Sequence, residues 1–236
     1  MLLVQKLTSS ARRHMTKSPQ PHEYLTSRMP NNVIIRTTTE CRRAPSIFLI
    51  EEAYISNAIE KRKSEFRTGR YLARQALMEL GISSCPIPPG KNREPLWPNG
   101  TSGSISHCDS LIVAVAASNL HYRSIGVDVE LNKPLPIDVA ELILSSEEAE
   151  NNHCVNGVKH LETLIFSAKE SVFKCIFPMA GVYFDFHEVA LQFDQLDRFF
   201  TALLPLRIAE KVGFREVIGQ YTIDNSHIFT LTHIKV

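Results

Sequence analysis

Apolar residues recur at two periods along the chain, and the alternation of those periods predicts its elements. From about Ser56 to Leu80 the spacing is helical, with Ile59, Phe66, Ala73, Leu77 and Leu80 on one face. Gly81 follows where a helix C-cap favours glycine. Leu161, Leu164, Ile165, Ala168, Val172 and Ile176 form a second stripe and predict a helix over roughly Leu161–Ile176. A third helix is predicted over roughly Asp138–Asn151. The unbroken apolar runs Leu111–Ala117 and Ser124–Val129 read as buried strands on either side of a turn around Asn119. Further strands are predicted at Val33–Arg36, Ser46–Ile50, Val182–Phe193, Phe199–Pro205, Arg215–Ile223 and His227–Ile234. The stretch from Cys85 to Gly100 is rich in proline and glycine and reads as an ordered loop or several turns. Helix and strand are thus mixed in similar proportion on both sides of Leu120–Ser124. The expectation is an α/β (α+β) chain with an N-terminal half at 31–122, a C-terminal half at 123–236 and a frayed leader at 1–30.

Composition narrows the classes. At 236 residues and 44% apolar, the chain can bury a substantial core in one large domain or two small ones. Its 26 Lys plus Arg against 25 Asp plus Glu leave a net charge of +1, which argues against a protein that coats a polyanion. No apolar run is long enough for a membrane-spanning helix. The five cysteines are widely spaced, with no Cys-x-x-Cys pair, so neither a disulfide framework nor a zinc knuckle is indicated. A cytoplasmic location is the expectation, with association to a membrane or a larger synthetase peripheral at most. The first 22 residues carry Lys6, Arg12, Arg13 and Lys17 and no acid, yet Met1-Leu2-Leu3-Val4 is too short for a secretory core.

Three constellations could carry chemistry. In Gly126-Val127-Asp128-Val129-Glu130, strand alternation sends the two valines to the core and both carboxylates to the other face. Two such charges ~4 Å apart repel by about 4 kcal/mol at an effective dielectric near ~20, so a proton, a base or a hard cation must offset them. In Phe166-Ser167-Ala168-Lys169-Glu170-Ser171-Val172-Phe173-Lys174, Glu170 and Lys174 stand one turn apart, opposite the buried stripe. They read either as a solvated ion pair or as part of a site in which Glu170 joins Asp128 and Glu130 around magnesium and Lys174 faces a phosphate. On the first helix, Lys63, Arg67, Arg70 and Arg74 form a basic row, read either as a solvated face or as an anion-binding ridge. Ser106 and His107 lie between these elements. Neighbours on a strand face opposite ways, so a catalytic Ser–His pair is not expected, but both could bond phosphate oxygens.

In order along the chain, Arg70-x-x-Ala73-Arg74, Glu94-Pro95-x-Trp97-Pro98, Gly103-Ser104-Ile105-Ser106-His107, Gly126–Glu130 and Phe166–Lys174 resemble the 4′-phosphopantetheinyl transferases of the surfactin type, and most nearly the enterobactin synthase component D branch. The resemblance covers about Lys61 to Phe186. It implies a pseudo-twofold monomer with coenzyme A in a cleft between two similar halves, and transfer of the phosphopantetheine arm to a serine of an apo carrier protein. It further implies Asp128, Glu130 and Glu170 as magnesium ligands. Lys169 and Lys174 would lie at the diphosphate, Ser106 and His107 at coenzyme A phosphates, and Arg62 and Arg70 at the 3′-phosphate. Lys91 and Arg93 would sit on a nucleotide-contacting loop, and Tyr183 would line the cleft. Glu170, directly or through a metal-bound water, is the candidate base, with Lys174 as the second catalytic group. The partners implied are aryl or peptidyl carrier domains of a siderophore synthetase. The competing readings are another magnesium-dependent phosphotransferase or hydrolase, and a nucleic-acid module using the Lys63–Arg74 row.

Overall fold

The computed structural model describes residues 30–145, 148, 155, 157–194 and 197–236. Residues 1–29, nearly all of the expected leader, lie outside the described residues, as does most of 146–156. The chain forms β1 (Val33–Thr38), α1 (Leu49–Tyr54), α2 (Glu60–Glu79), β2 (Thr101–Cys108), β3 (Leu111–Ser118), β4 (Tyr122–Leu131), α3 (Ile137–Glu141), α4 (Leu161–Ala180), β5 (Ala190–Phe193), β6 (Phe199–Leu203), α5 (Leu206–Val212), β7 (Glu216–Ile223) and β8 (His227–Lys235). The strands make two antiparallel sheets, β1-β3-β2 and β4-β8-β7-β6-β5.

Alternation along β3 explains the layering. Leu111, Val113, Val115 and Ala117 meet Ile125, Val127 and Val129 of β4 and Phe229 and Leu231 of β8, forming a core shared by the two sheets. The intervening Ile112, Ala114 and Ala116 turn the other way and bury Leu72, Ala73, Ala76 and Leu77 of α2. On the far side, the α4 stripe Leu164, Ile165, Ala168, Val172 and Ile176 is fully buried with Phe200, Ala202 and Ile228 of the larger sheet. Each sheet therefore carries one helix of 20 residues on its outer face.

Among the described residues no ladder joins the two sheets. Their edge strands β2 and β4 run side by side, held by Ser102 Oγ donating to the Tyr122 carbonyl at 3.2 Å and Ser106 Oγ to Asp128 at 2.7 Å. The segment Ser46–Ile50, expected as a strand, leads instead into α1, because Ser46 is tied to Glu51 and Glu52 at the helix start. Only the end of Val182–Phe193 is a strand: after the left-handed Gly181, an Asp185–Glu188 capping box winds Phe186–Glu188 into a short 3-10 turn. The helix expected over Asp138–Asn151 is the short α3 in its described part. Among the described residues no helix is long and apolar enough to cross a membrane.

Candidate active site

A cavity of about 380 Å³ opens where α2, β2, β4 and α4 meet. Four of its walls come from elements with separate reasons to be there. On β4, the core needs Val127 and Val129, so Asp128 and Glu130 point to α4. On α4, the burial of Ala168 and Val172 leaves Glu170 and Lys174 facing the cavity. On β2, pairing with β3 turns Ser106 to Asp128 and leaves His107 beside α2. On α2, Arg62 and Arg70 complete the opposite wall.

Gly126 is what lets α4 approach β4: a Cβ there would run into the Ser171 carbonyl oxygen and the Cys175 backbone nitrogen. Ser124 and Thr230 add side-chain bonds to the Cys175 and Ser167 carbonyls. The helix is thereby held on the strand that carries the acids.

Lys174 is the centre of the acid side. Its Nζ donates to Asp128 Oδ1 at 2.6 Å and to Ser106 Oγ at 3.1 Å, and stands 3.4 Å from Glu170 Oε2. Burial opposes its charge, but Asp128 and Glu170 outweigh burial and hold its pKa above the ordinary lysine value. Burial, reinforced by the neighbouring Asp128 and Glu170, pushes Glu130 up to about 8. Burial also raises Glu170, although Lys174 works against it. Asp128 is 2% exposed, and its Oδ2 is buried with no hydrogen-bond partner.

Among the described residues no group of three His, Cys, Asp or Glu is arranged to hold a metal ion, and the cation that Asp128 and Glu170 share is Lys174. The chemistry of the donors nonetheless fits a hard divalent ion: carboxylates alone, one of them with an unused buried oxygen and another whose pKa burial, reinforced by its like-charged neighbours, raises to about 8.

The basic wall is smaller than the sequence row. Arg74 is buried and paired with Glu51 at 2.7 Å, Arg67 with Glu52 at 2.7 Å, and Lys63 with Glu60 at 3.1 Å. Three members of the row are therefore neutralised, which removes the anion-binding ridge and with it the main support for a nucleic-acid module. Arg70 remains, donating to the Ile87 carbonyl and lying over Phe66, its pKa lowered by burial to about 10 yet still charged at neutral pH. Arg62 donates to His107 Nε2 at 2.8 Å, consistent with a neutral imidazole whose pKa burial, Arg62 and Lys174 depress.

Arg93 adopts a left-handed backbone at φ 72° and lines both this cavity and a neighbouring one of about 470 Å³. The second cavity shares Glu170, Lys174 and Pro95 with the first and is walled by Trp97, Phe173, Phe177 and Tyr183. Lys91 is exposed and lines neither. Lys169 is a correction. It is fully buried away from the cleft, donating to Glu148 at 2.6 Å and the Ile143 carbonyl at 2.9 Å, because its position on α4 falls on the packed side of the helix. Glu65, Tyr54 and Phe66 also line the first cavity. Nothing in their sequence surroundings distinguished them, although Glu65 lies one turn from Arg62.

Comparison with known proteins gives the family of the chain. Residues 50–117 match the family model described as 4′-phosphopantetheinyl transferase N-terminal domain, and residues 124–228 match that of the 4′-phosphopantetheinyl transferase superfamily. The chain is 38% identical over 176 residues to 4′-phosphopantetheinyl transferase Svp of Streptomyces mobaraensis, covering 73% of this chain and 71% of that one. It is 36% identical over 148 residues to 4′-phosphopantetheinyl transferase PptT of Mycobacterium tuberculosis, covering 62% and 65%. Enterobactin synthase component D of Salmonella typhi is 39% identical over 123 residues, covering 51% and 50%. With both halves of its length matched and a relative aligned over more than two thirds, the chain belongs to the 4′-phosphopantetheinyl transferase superfamily.

Proposed function

We propose that the protein transfers the 4′-phosphopantetheine group of coenzyme A to a serine of an apo carrier protein. The observation that carries this reading is one cavity with chemically distinct walls: Asp128, Glu130, Glu170 and Lys174 on one side, Arg62, Arg70 and Arg93 on the other. Coenzyme A needs both, because its diphosphate and its 3′-phosphate are separate anionic groups. The aromatic cavity beyond Lys174, walled by Trp97, Phe173, Phe177 and Tyr183, suits the pantetheine arm. The two halves, 31–122 and 123–236, are read as the similar lobes of the family, each with its 20-residue helix.

In the reaction the carrier serine oxygen bonds to the β-phosphorus, and the bond from that phosphorus to the bridging oxygen breaks. Adenosine 3′,5′-bisphosphate leaves with the electron pair. Lys174 offsets charge growing on the phosphoryl oxygens, usually the largest contribution to such a step. Glu170 accepts the serine proton; burial has raised its pKa, which makes it a better acceptor near neutrality. Magnesium, held by Asp128, Glu130 and Glu170, would supply further neutralisation of the diphosphate. Arg62 and Arg70 bind the 3′-phosphate, and Ser106 and His107 orient phosphate oxygens.

The test is incubation with coenzyme A, magnesium and a panel of apo carriers, followed by mass spectrometry. One added phosphopantetheine is expected. Aryl and peptidyl carriers of a siderophore synthetase head the panel, because enterobactin synthase component D of Salmonella typhi is 39% identical to this chain over 123 residues. No mass gain on any carrier, with cleavage of coenzyme A alone, would support a hydrolase instead.

A further inference from the structure

Lys174 has two sets of partners to choose between. In the structure its ammonium spends its protons on the acid side, on Asp128 Oδ1, Ser106 Oγ and, at 3.4 Å, Glu170 Oε2. An ammonium has three donors and no acceptor, so these contacts nearly exhaust it. A divalent cation drawn to Asp128 and Glu170 would share their oxygens with that ammonium, and two positive charges at such separations repel strongly in a half-buried site. The competition ends when an anionic group enters the cavity, because the lysine stem is flexible and its head can turn to phosphate oxygens. Ser106 can stay behind, since its hydroxyl bonds Asp128 Oδ1 directly at 2.7 Å. Asp128 Oδ2, buried and unpartnered, is then the oxygen with nothing to give up.

We propose that Lys174 is an internal counter-ion that couples the two ligands: it holds Asp128 and Glu170 until the diphosphate of coenzyme A draws its ammonium away, and the acids then take the cation with full affinity. The coupling rests on the reading of this cavity as the coenzyme A site. It is reciprocal, so magnesium strengthens coenzyme A binding by the factor through which coenzyme A strengthens magnesium binding. It also makes the cation arrive with its substrate, rather than remain on the protein between turnovers.

The test is calorimetric titration of magnesium into the full chain, as wild type, Lys174→Met and Lys174→Arg, with no nucleotide present. Lys174→Met is expected to bind magnesium about tenfold tighter than wild type, within the usual range of coupling between sites. Lys174→Arg keeps the charge and is expected to bind as weakly as wild type. Magnesium binding no tighter in Lys174→Met, or equally tightened in both variants, overturns the proposal. Should Lys174→Met fail to fold by circular dichroism, Lys174→Gln replaces it with the same expected tightening. Carrier modification by the wild type is scored separately. Modification without tightening removes the coupling alone, whereas no modification removes the reading beneath it.

Discussion

At the scale of single residues, the carboxylates have different tasks and different signatures. Glu170→Gln removes the proton acceptor while keeping its shape, and is expected to lower kcat by about 100-fold or more with little change in KM for coenzyme A. Near-normal turnover at saturating magnesium would remove Glu170 from that role. Glu130 makes a stability prediction. Its folded pKa, about 8, lies above its ordinary 4.5, so the folded chain holds that proton more tightly than the unfolded chain. Its contribution is present at low pH and lost as pH rises from about 4.5 to about 8. Without divalent metal, Glu130→Gln is therefore expected to raise Tm at pH 8 and to change it little at pH 4.5. A relief of about 1 kcal/mol corresponds to ~2–4 °C in a chain of this size. These carboxylates were legible in the sequence because strand alternation and a single helical turn are local rules. The neutralised ridge was not, because Glu51 and Glu52 reach Arg74 and Arg67 from a separate element, across 23 and 15 positions.

At the scale of elements, the site depends on one close approach. Gly126→Ala would push α4 from β4 at the Ser171 carbonyl and part Asp128 from Lys174. The expected cost is about 1–3 kcal/mol of stability by urea unfolding, with a larger relative loss of transfer activity. Full activity in the folded variant would show that the site tolerates the shift. Longer elements were read from the sequence more securely than short ones. Both long helices follow from a period sustained over many residues, and strands β3 and β4 from long unbroken apolar runs. The run Ser46–Ile50 is too short for periodicity to separate strand from helix, and side-chain bonds from Ser46 decide it. Helix α5 was missed although Pro205 and Gly213 punctuate its two ends, the pairing that a short helix favours.

At the scale of the molecule, the interior is shared rather than divided. The face of β3 that carries Leu111, Val113, Val115 and Ala117 is covered by β4 and β8, so either half alone would present that apolar face to water. Separately produced 31–122 and 123–236 are expected to aggregate or remain unfolded, and to regain coenzyme A binding only when produced together. A soluble, folded N-terminal half with native circular dichroism would contradict this. The unequal sheets were not legible in the sequence, because strand pairing between distant segments leaves no local trace.

The seam between β2 and β4 has a consequence for how such a protein can change over time. Across that line the halves meet through the side-chain bonds from Ser102 to the Tyr122 carbonyl and from Ser106 to Asp128, and among the described residues no backbone ladder fixes their offset. The offset is set by how the shared core packs, at residues such as Val115 and Leu231, which touch no substrate. A core substitution that slides one sheet by about 1 Å therefore acts as an active-site substitution. Selection for catalysis must reach into the interior, and drift there has to be answered by compensating change on the opposite sheet.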